Sequence, residues 1–318
     1  MARVVAPSRL HFGLLSIAQS EGRRFGGAGL MIEAPGVDVS AEPSRVWTAR
    51  GPLAARALAY ARRLAASFPP ERWGGRAFAL EIVRAAPEHV GLGTGTQLAL
   101  ATARAVAAAA NLPALSAAEL ASRVGRGERS AIGVYGFDRG GFLVDGGKAA
   151  KTALAPLIAR HDFPDEWDIL LAIPHQKGLH GRGEREAFLQ ASRGAEGDDS
   201  AELCRLLLLS VLPALVERDL PVFARALHEF NRKVGEMFAP WQAGAYATPR
   251  AAALVDWLTQ RGLGAGQTSW GPAVFAFGER DRLERTLQDL QCTGLAHEDR
   301  LILTTARNQA ASVDSMAP

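Results

Sequence analysis

The chain has 318 residues, 48% hydrophobic and 22% charged, which suits one large or two smaller compact domains and excludes disorder as a description of the whole. Its 36 basic and 33 acidic residues leave a formal charge of only +3, well short of the basic excess that nucleic-acid binding usually requires.

Only Lys148, Lys151, Lys177 and Lys233 are lysines and every other base is arginine, a bias that a GC-rich genome would produce along with abundant alanine and glycine. Cys204 and Cys292 stand far apart, so neither a disulfide framework nor a zinc knuckle is expected. No run approaches the roughly 20 apolar residues of a membrane span, and Met1 to Val5 do not read as a secretion signal. A soluble, cytoplasmic protein without nucleic-acid or membrane partners is the expectation.

In chain order, Val4-Val5-Ala6-Pro7 and Leu10 to Leu15 read as two short strands broken by Pro7, which cannot donate to a ladder. The cluster Gly26-Gly27-Ala28-Gly29 permits close backbone approach before strand-like Leu30-Met31-Ile32 and the alternating Val37-Asp38-Val39-Ser40. Residues 53–68 have helical spacing, and Phe78-Leu80-Ile82 alternates as a half-buried strand. A turn, Gly91-Leu92-Gly93-Thr94-Gly95-Thr96-Gln97, feeds an alanine-rich helix over 98–110. The next helix, 117–124, starts behind Ser116 with Glu119 in capping-box position. Residues 125–130 and 140–147 read as loop and strand, and the acidic stretch 162–168 as a domain boundary, giving units 1–163 and 164–318. Beyond it a strand is expected at 169–173, helices at 201–216, 221–237 and 250–260, and strand, helix, strand at 274–277, 280–290 and 301–303. The polar tail from Arg307 is expected to fray.

The turn at 91–97 holds the most chemistry. A helix N-terminus presents unpaired N–H groups and partial positive charge, so a glycine-rich entry suits a phosphate. The P-loop pattern fails at Gly147-Lys148-Ala149, and the dinucleotide fingerprint fails because no third glycine follows at the required place.

Three segments together, Pro7-Ser8-Arg9-Leu10-His11-Phe12-Gly13, Gly91 to Thr96, and Gly264-Ala265-Gly266-Gln267-Thr268-Ser269-Trp270-Gly271, resemble the three motifs of the GHMP kinase superfamily. That resemblance implies an α+β, two-domain GHMP kinase-like fold: an N-terminal domain with a left-handed βαβ unit and a ferredoxin-like C-terminal domain. The departures are informative. Where kinases of the superfamily place a catalytic aspartate, Gly133 stands, and Thr94-Gly95-Thr96 replaces the usual paired serines. Loss of a carboxylate that orients a hydroxyl nucleophile argues against an alcohol kinase.

The strings Ser8 to Leu14, Gly125-Arg126-Gly127-Glu128-Arg129-Ser130, Gly140 to Gly147 and Ser269-Trp270-Gly271-Pro272 are similar to a non-kinase branch, the β-ribofuranosylaminobenzene 5′-phosphate synthase family. The resemblance implies condensation of 5-phosphoribosyl 1-diphosphate with 4-aminobenzoate or 4-hydroxybenzoate, releasing CO2 and diphosphate in tetrahydromethanopterin biosynthesis. It also implies Mg2+ and a homodimer. An ATP-dependent small-molecule kinase of the same superfamily is the alternative.

Such a reaction asks the protein for positioning and charge stabilisation rather than a nucleophile. Arg9 and His11 alternate on one strand face, and Arg126 and Arg129 flank Glu128 in a glycine-bounded loop. Together with Asp145, His175 and His180 they form the candidate catalytic set. Gly91, Gly93, Thr94, Gly95, Thr96, Gln97 and Ser269 form the candidate phosphate-binding set. Glu128 or Asp145 would give magnesium an oxygen ligand, although Asp145-Gly146-Gly147 equally suits an Asx-turn. His175 to Glu184 reads as an anion-binding loop containing Arg182, and Trp270 as either a stacking surface or core.

Overall fold

In the computed structural model, residues 1–16, 23–73, 75–178, 183, 186, 200–242 and 244–315 are described; His180, Arg182 and Glu184, named above, lie outside them. A first sheet has seven strands, β1 (Ala2–Ser16), β2 (Phe25–Ser44), β3 (Thr48–Arg50), β4 (Ala77–Arg84), β5 (Phe142–Asp145), β6 (Leu157–His161) and β11 (Ser312–Ser315). They run in the order β11-β1-β2-β4-β3, with β5 joined to both β2 and β6. β3 and β4 are parallel and are linked through α1 (Ala54–Ala66) and the short α2 (Pro70–Trp73). Three more helices follow, α3 (Thr94–Ala109), α4 (Ala117–Val124) and α5 (Ile132–Arg139).

The second sheet, β7 (Asp168–Ile173), β8 (Gly264–Gln267), β9 (Val274–Gly278) and β10 (Arg300–Thr305), is antiparallel in the order β10-β7-β9-β8. Between β7 and β8 lie α6 (Ser200–Leu206), a π-helical turn (Leu207–Val211), α7 (Leu212–Glu217), α8 (Leu220–Met237) and α9 (Pro249–Thr259); α10 (Arg280–Thr293) links β9 to β10. This βαββαβ course with its strand order is ferredoxin-like.

Pro7 does not break β1. The ladder with β2 jumps from Ala6↔Val37 to Ser8↔Ile32, so Pro7 sits opposite a looped-out stretch, where no donor is needed. The same jump makes β2 one strand instead of two, and the Ser8 hydroxyl accepts from Gly36 N in the loop at 3.1 Å. Residues 307–315 of the tail are not frayed either: Ala2 to Val5 pair with Ser315 to Ser312, and Arg307 N donates to Met31 O at 2.8 Å. The first sheet therefore takes its last strand from the end of the chain. α5 was not expected from sequence, because Gly133 and Gly136 dilute its helical pattern. Gly136 is needed there, since a Cβ would come within 2.2 Å of Met31 Sδ.

Two apolar cores flank the first sheet. On one face α1, α3 and α4 bury Ala57, Ala61, Leu98, Val106 and Leu120 against Val39, Leu80 and Ile82. The other core is shared between the halves: Phe12 of β1 meets Phe275 of β9 edge-on at 5.2 Å, and Phe223 of α8 meets Phe277 of β9 at 5.6 Å. Burying such rings contributes about 2–3 kcal/mol each before packing effects. Continuous apolar packing from β1 to α8 and β9 thus sets the first motif against the third.

Candidate active site

The three motifs are stitched together by backbone bonds. Arg9 N donates to Leu92 O at 3.0 Å, Ser269 N to His11 O at 2.8 Å, and Ala273 N to Val90 O at 3.3 Å. The Thr268 hydroxyl accepts from His11 N and donates to Gly91 O, each at 2.9 Å. Asn231 of α8 completes the seam: its amide donates to Phe12 O at 2.7 Å and to Gln267 O at 2.9 Å, and its carbonyl accepts from Gln267 N.

Above this seam α3 begins at Gly93, which has φ 70° and offers no side-chain cap, and no acidic residue stands in the first turn. α4 by contrast carries the expected Ser116/Glu119 capping box, and α8 and α9 are capped by Asp219 and Thr248. The 16-residue α3 alone among these four presents bare N–H groups and an uncompensated dipole to its surroundings. Arginines close over those groups. A Cβ on Gly93 would lie 3.3 Å from Arg9 Nε, and one on Gly95 would lie 2.8 Å from Arg56 Nη2 and 3.6 Å from Arg126 Nη2. Arg126 also donates to the Thr96 hydroxyl at 2.8 Å. Burial, followed by the neighbouring charges of Arg56 and Arg129, pulls its pKa below the ordinary arginine value. Arg56 is ion-paired with Glu88 and bonded to Tyr60 at 3.2 Å. Its burial opposes the charge, but Tyr60 and Glu88 outweigh that and raise its pKa.

These groups line a cavity of about 480 Å³. It brings together Arg9, His11, Gly91, Gly93, Thr94, Gly95, Thr96, Arg126, Glu128, Arg129 and Ser269, as the sequence reading grouped them. Phe238 and Trp270, with ring centroids 4.6 Å apart, also line it. Trp270 is 8% exposed and belongs to the shared core as well, which is the core placement that the sequence left open for it.

Three candidates sit elsewhere. Gln97 is fully buried beneath the turn, its amide donating to Gly133 O at 2.8 Å. His175 lines a separate cavity of about 320 Å³ beside Arg250, Glu298 and Asp299, because the chain leaving β7 passes the α9 side of the sheet. Asp145 is fully buried and outside the main cavity. Its Oδ1 accepts from Gly147 N at 3.1 Å, the Asx-turn alternative, and its Oδ2 from Ala131 N at 3.0 Å. Enclosed by donors, it has no face left for a metal. Burial raises its pKa, while those hydrogen bonds act in the opposite direction.

His11 is 4% exposed, its Nε2 3.2 Å from the Ser130 hydroxyl. Burial, then the charges of Arg9 and Arg129, pushes its pKa well below 6.5, so it is a neutral imidazole. Gly27 allows this: a Cβ there would stand 3.3 Å from His11 Nε2. Sequence reasoning missed Arg56 and Glu88. Arg56 reads as one more polar position on an amphipathic helix, and only the fold turns it onto Gly95.

No group of three histidine, cysteine, aspartate or glutamate side chains suited to a metal occurs among the described residues. A magnesium ion arriving on a diphosphate needs only one or two carboxylates, and Glu128 and Glu88 line the cavity.

The fold and this arginine-ringed glycine turn define a GHMP kinase-type protein. Residues 54–141 match the GHMP kinases N terminal domain, and residues 211–295 match the GHMP kinases C terminal model. Among solved structures, a putative homoserine kinase from Listeria monocytogenes superposes with a TM-score of 0.68 at 16% identity, covering 99% of this chain and 100% of that one. A mevalonate kinase superposes with 0.68 at 14%, covering 96% and 99%; at such identities the likeness shows the fold alone. The chain belongs to the β-ribofuranosylphenol 5′-phosphate synthase family. A synthase of that name from Archaeoglobus fulgidus is 34% identical over 99% of this chain and 100% of its own length. Another from Methanocaldococcus jannaschii is 28% identical over 90% and 92%. Among the described residues no helix is long and apolar enough to cross a membrane.

Proposed function

We propose that this protein transfers the ribosyl group of 5-phosphoribosyl 1-diphosphate to the carboxylate-bearing carbon of 4-hydroxybenzoate or 4-aminobenzoate, releasing CO2 and diphosphate. The observation that carries the reading is the double character of one cavity. Arg9, Arg56 and Arg126 lie against the uncapped start of α3, and Arg129 and the Phe238–Trp270 pair line the same space. The synthase name borne by the relatives supports the product class.

In this reading the α3 N–H groups and the Arg56 and Arg126 guanidiniums hold the diphosphate, whose charge grows as it leaves. Fixed donors stabilise that charge without reorganising, and guanidinium forks bind it bidentately. Arg9 lies against Gly93 beside them. Magnesium bound to the substrate would lessen the leaving group's charge, with Glu128 as its protein carboxylate. The Phe238 and Trp270 rings offer the benzoate an apolar surface. Ser269, Thr268 and the backbone seam keep the first and third motifs in register, so that sugar and ring meet in a reactive orientation. At Gly133 a Cβ would lie 3.4 Å from Gln97 Nε2 and 3.5 Å from Thr96 Cγ2, so the place of the kinase carboxylate adjoins the turn and bears no charge. A tetrahydromethanopterin-type pathway and a homodimer complete the proposal.

The test is incubation with 5-phosphoribosyl 1-diphosphate, Mg2+ and either benzoate labelled in its carboxyl carbon. Labelled CO2 and diphosphate in equal amounts are expected. Folded protein that releases neither, or that phosphorylates small alcohols from ATP, would overturn the reading. Sedimentation of the purified chain reads its oligomeric state.

A further inference from the structure

His11 and Ser130 line the cavity, and with Asp145 buried behind them they form a chain of polar contacts that the diphosphate site does not use. The Ser130 hydroxyl lies 3.3 Å from Asp145 Oδ2 and 3.2 Å from His11 Nε2, and it accepts from Ile132 N at 3.3 Å. Asp145 also receives Ala131 N and Gly147 N, the environment of an ionised, acceptor-only carboxylate. The proton assignments follow by elimination. Ser130 has one proton to give, and Asp145 can only accept it. The same hydroxyl must therefore accept from His11, which places the imidazole proton on Nε2 and leaves the lone pair on Nδ1.

We infer that Asp145 and Ser130 are positioning residues that fix His11 as its Nε2–H tautomer, making Nδ1 the proton acceptor for the hydroxyl of a phenolic substrate. This rests on the ribosyl-transfer reading above and narrows it. The substrate O–H bond breaks as Nδ1–H forms, and the oxygen pair moves into the ring. The para carbon, which bears the carboxylate, bonds to the ribose carbon as the bond to diphosphate breaks. The C–CO2 pair then returns to the ring, CO2 leaves, and Nδ1 gives its proton back to the phenolate oxygen. Arg9 and Arg129 beside His11 make its charged form short-lived, which favours that return. An aniline needs no such acceptor, because the nitrogen lone pair can enter the ring with both N–H bonds intact.

Two measurements decide the matter. In the free protein with 15N-labelled histidine rings, the His11 signals, assigned by their absence from His11→Asn, should show protonated Nε2 and bare Nδ1. Ser130→Ala should mix the tautomers and Ser130→Thr should restore the single one. A protonated Nδ1 as the main wild-type form would overturn the inference, and that reading needs neither Ser130 variant nor any substrate. In turnover, His11→Asn should lose about 10²–10⁴-fold with 4-hydroxybenzoate, the usual reach of general base catalysis, and at least tenfold less with 4-aminobenzoate. Equal losses would overturn the role of His11 as acceptor. Absence of wild-type turnover with both benzoates would instead sink the ribosyl-transfer reading and leave the tautomer assignment to the spectra.

Discussion

Arg126 donates to the Thr96 hydroxyl across 2.8 Å, tying the loop after α4 to the first turn of α3. The contact aims a buried guanidinium at N–H groups that have no cap of their own. Burial and two neighbouring arginines already depress its pKa, so the site holds positive charge that an arriving polyanion would relieve.

Arg126→Ala should therefore weaken inorganic diphosphate binding by about 1.5–3 kcal/mol, the worth of a hydrogen bond to a charged group, or roughly tenfold to a hundredfold. Arg126→Lys should recover little of this, because an ammonium cannot reproduce the fork. Titration calorimetry of the two variants checks both statements; full recovery by lysine would show that charge alone matters.

The Arg56–Glu88 pair makes a prediction of opposite signs. Glu88 holds a guanidinium that lies against Gly95, so it competes with a bound anion. Arg56→Ala should weaken diphosphate binding about tenfold, whereas Glu88→Gln should leave it unchanged or tighten it, most visibly at low salt. Competition assays with inorganic diphosphate at two ionic strengths read the difference.

Gly91 carries a structural prediction. It has φ 93°, and a Cβ would come within 2.1 Å of Thr268 O, a backbone atom that cannot move aside cheaply. Gly91→Ala should lower stability by at least about 2 kcal/mol through strain and clash, as urea unfolding would show. It should also impair diphosphate binding, because the same contact joins the second and third motifs.

The buried imidazole gives the pH dependence. Its folded pKa lies below the ordinary 6.5, so between the two values the unfolded chain binds more protons than the folded one. The His11 contribution is present in full above pH 6.5 and is lost as pH falls through that window toward the folded pKa. Urea midpoints of wild type should therefore drop below pH 6.5 more steeply than those of His11→Asn; parallel slopes would show that His11 is not held neutral.

Local signals in the sequence were legible where one short segment fixes the structure. Ser116 and Glu119 announced the capping box because both partners lie within one turn. The glycine turn announced the α3 entry, and the alternation of Arg9 and His11 put both on the cavity. What escaped depends on distant partners. Asp145 reads as a ligand until Ala131, Ser130 and Gly147 are seen to enclose it. β8 has too many glycines to alternate, yet Gly266 is required because a Cβ there would lie 2.3 Å from Asn231 Oδ1. The tail looked frayed because its polarity says nothing of the edge of β1 that it meets.

The pairing of β11 with β1 has a consequence for engineering. Ala2 stands opposite Ser315, so the first and last strands of the described chain are neighbours, and a short peptide could join them covalently. A circular permutant opened in an exposed connection elsewhere should keep Arg9 and His11 in place. Deleting the last strand would instead bare the hydrogen-bonding edge of β1 over Ala2 to Val5 and invite sheet-to-sheet association.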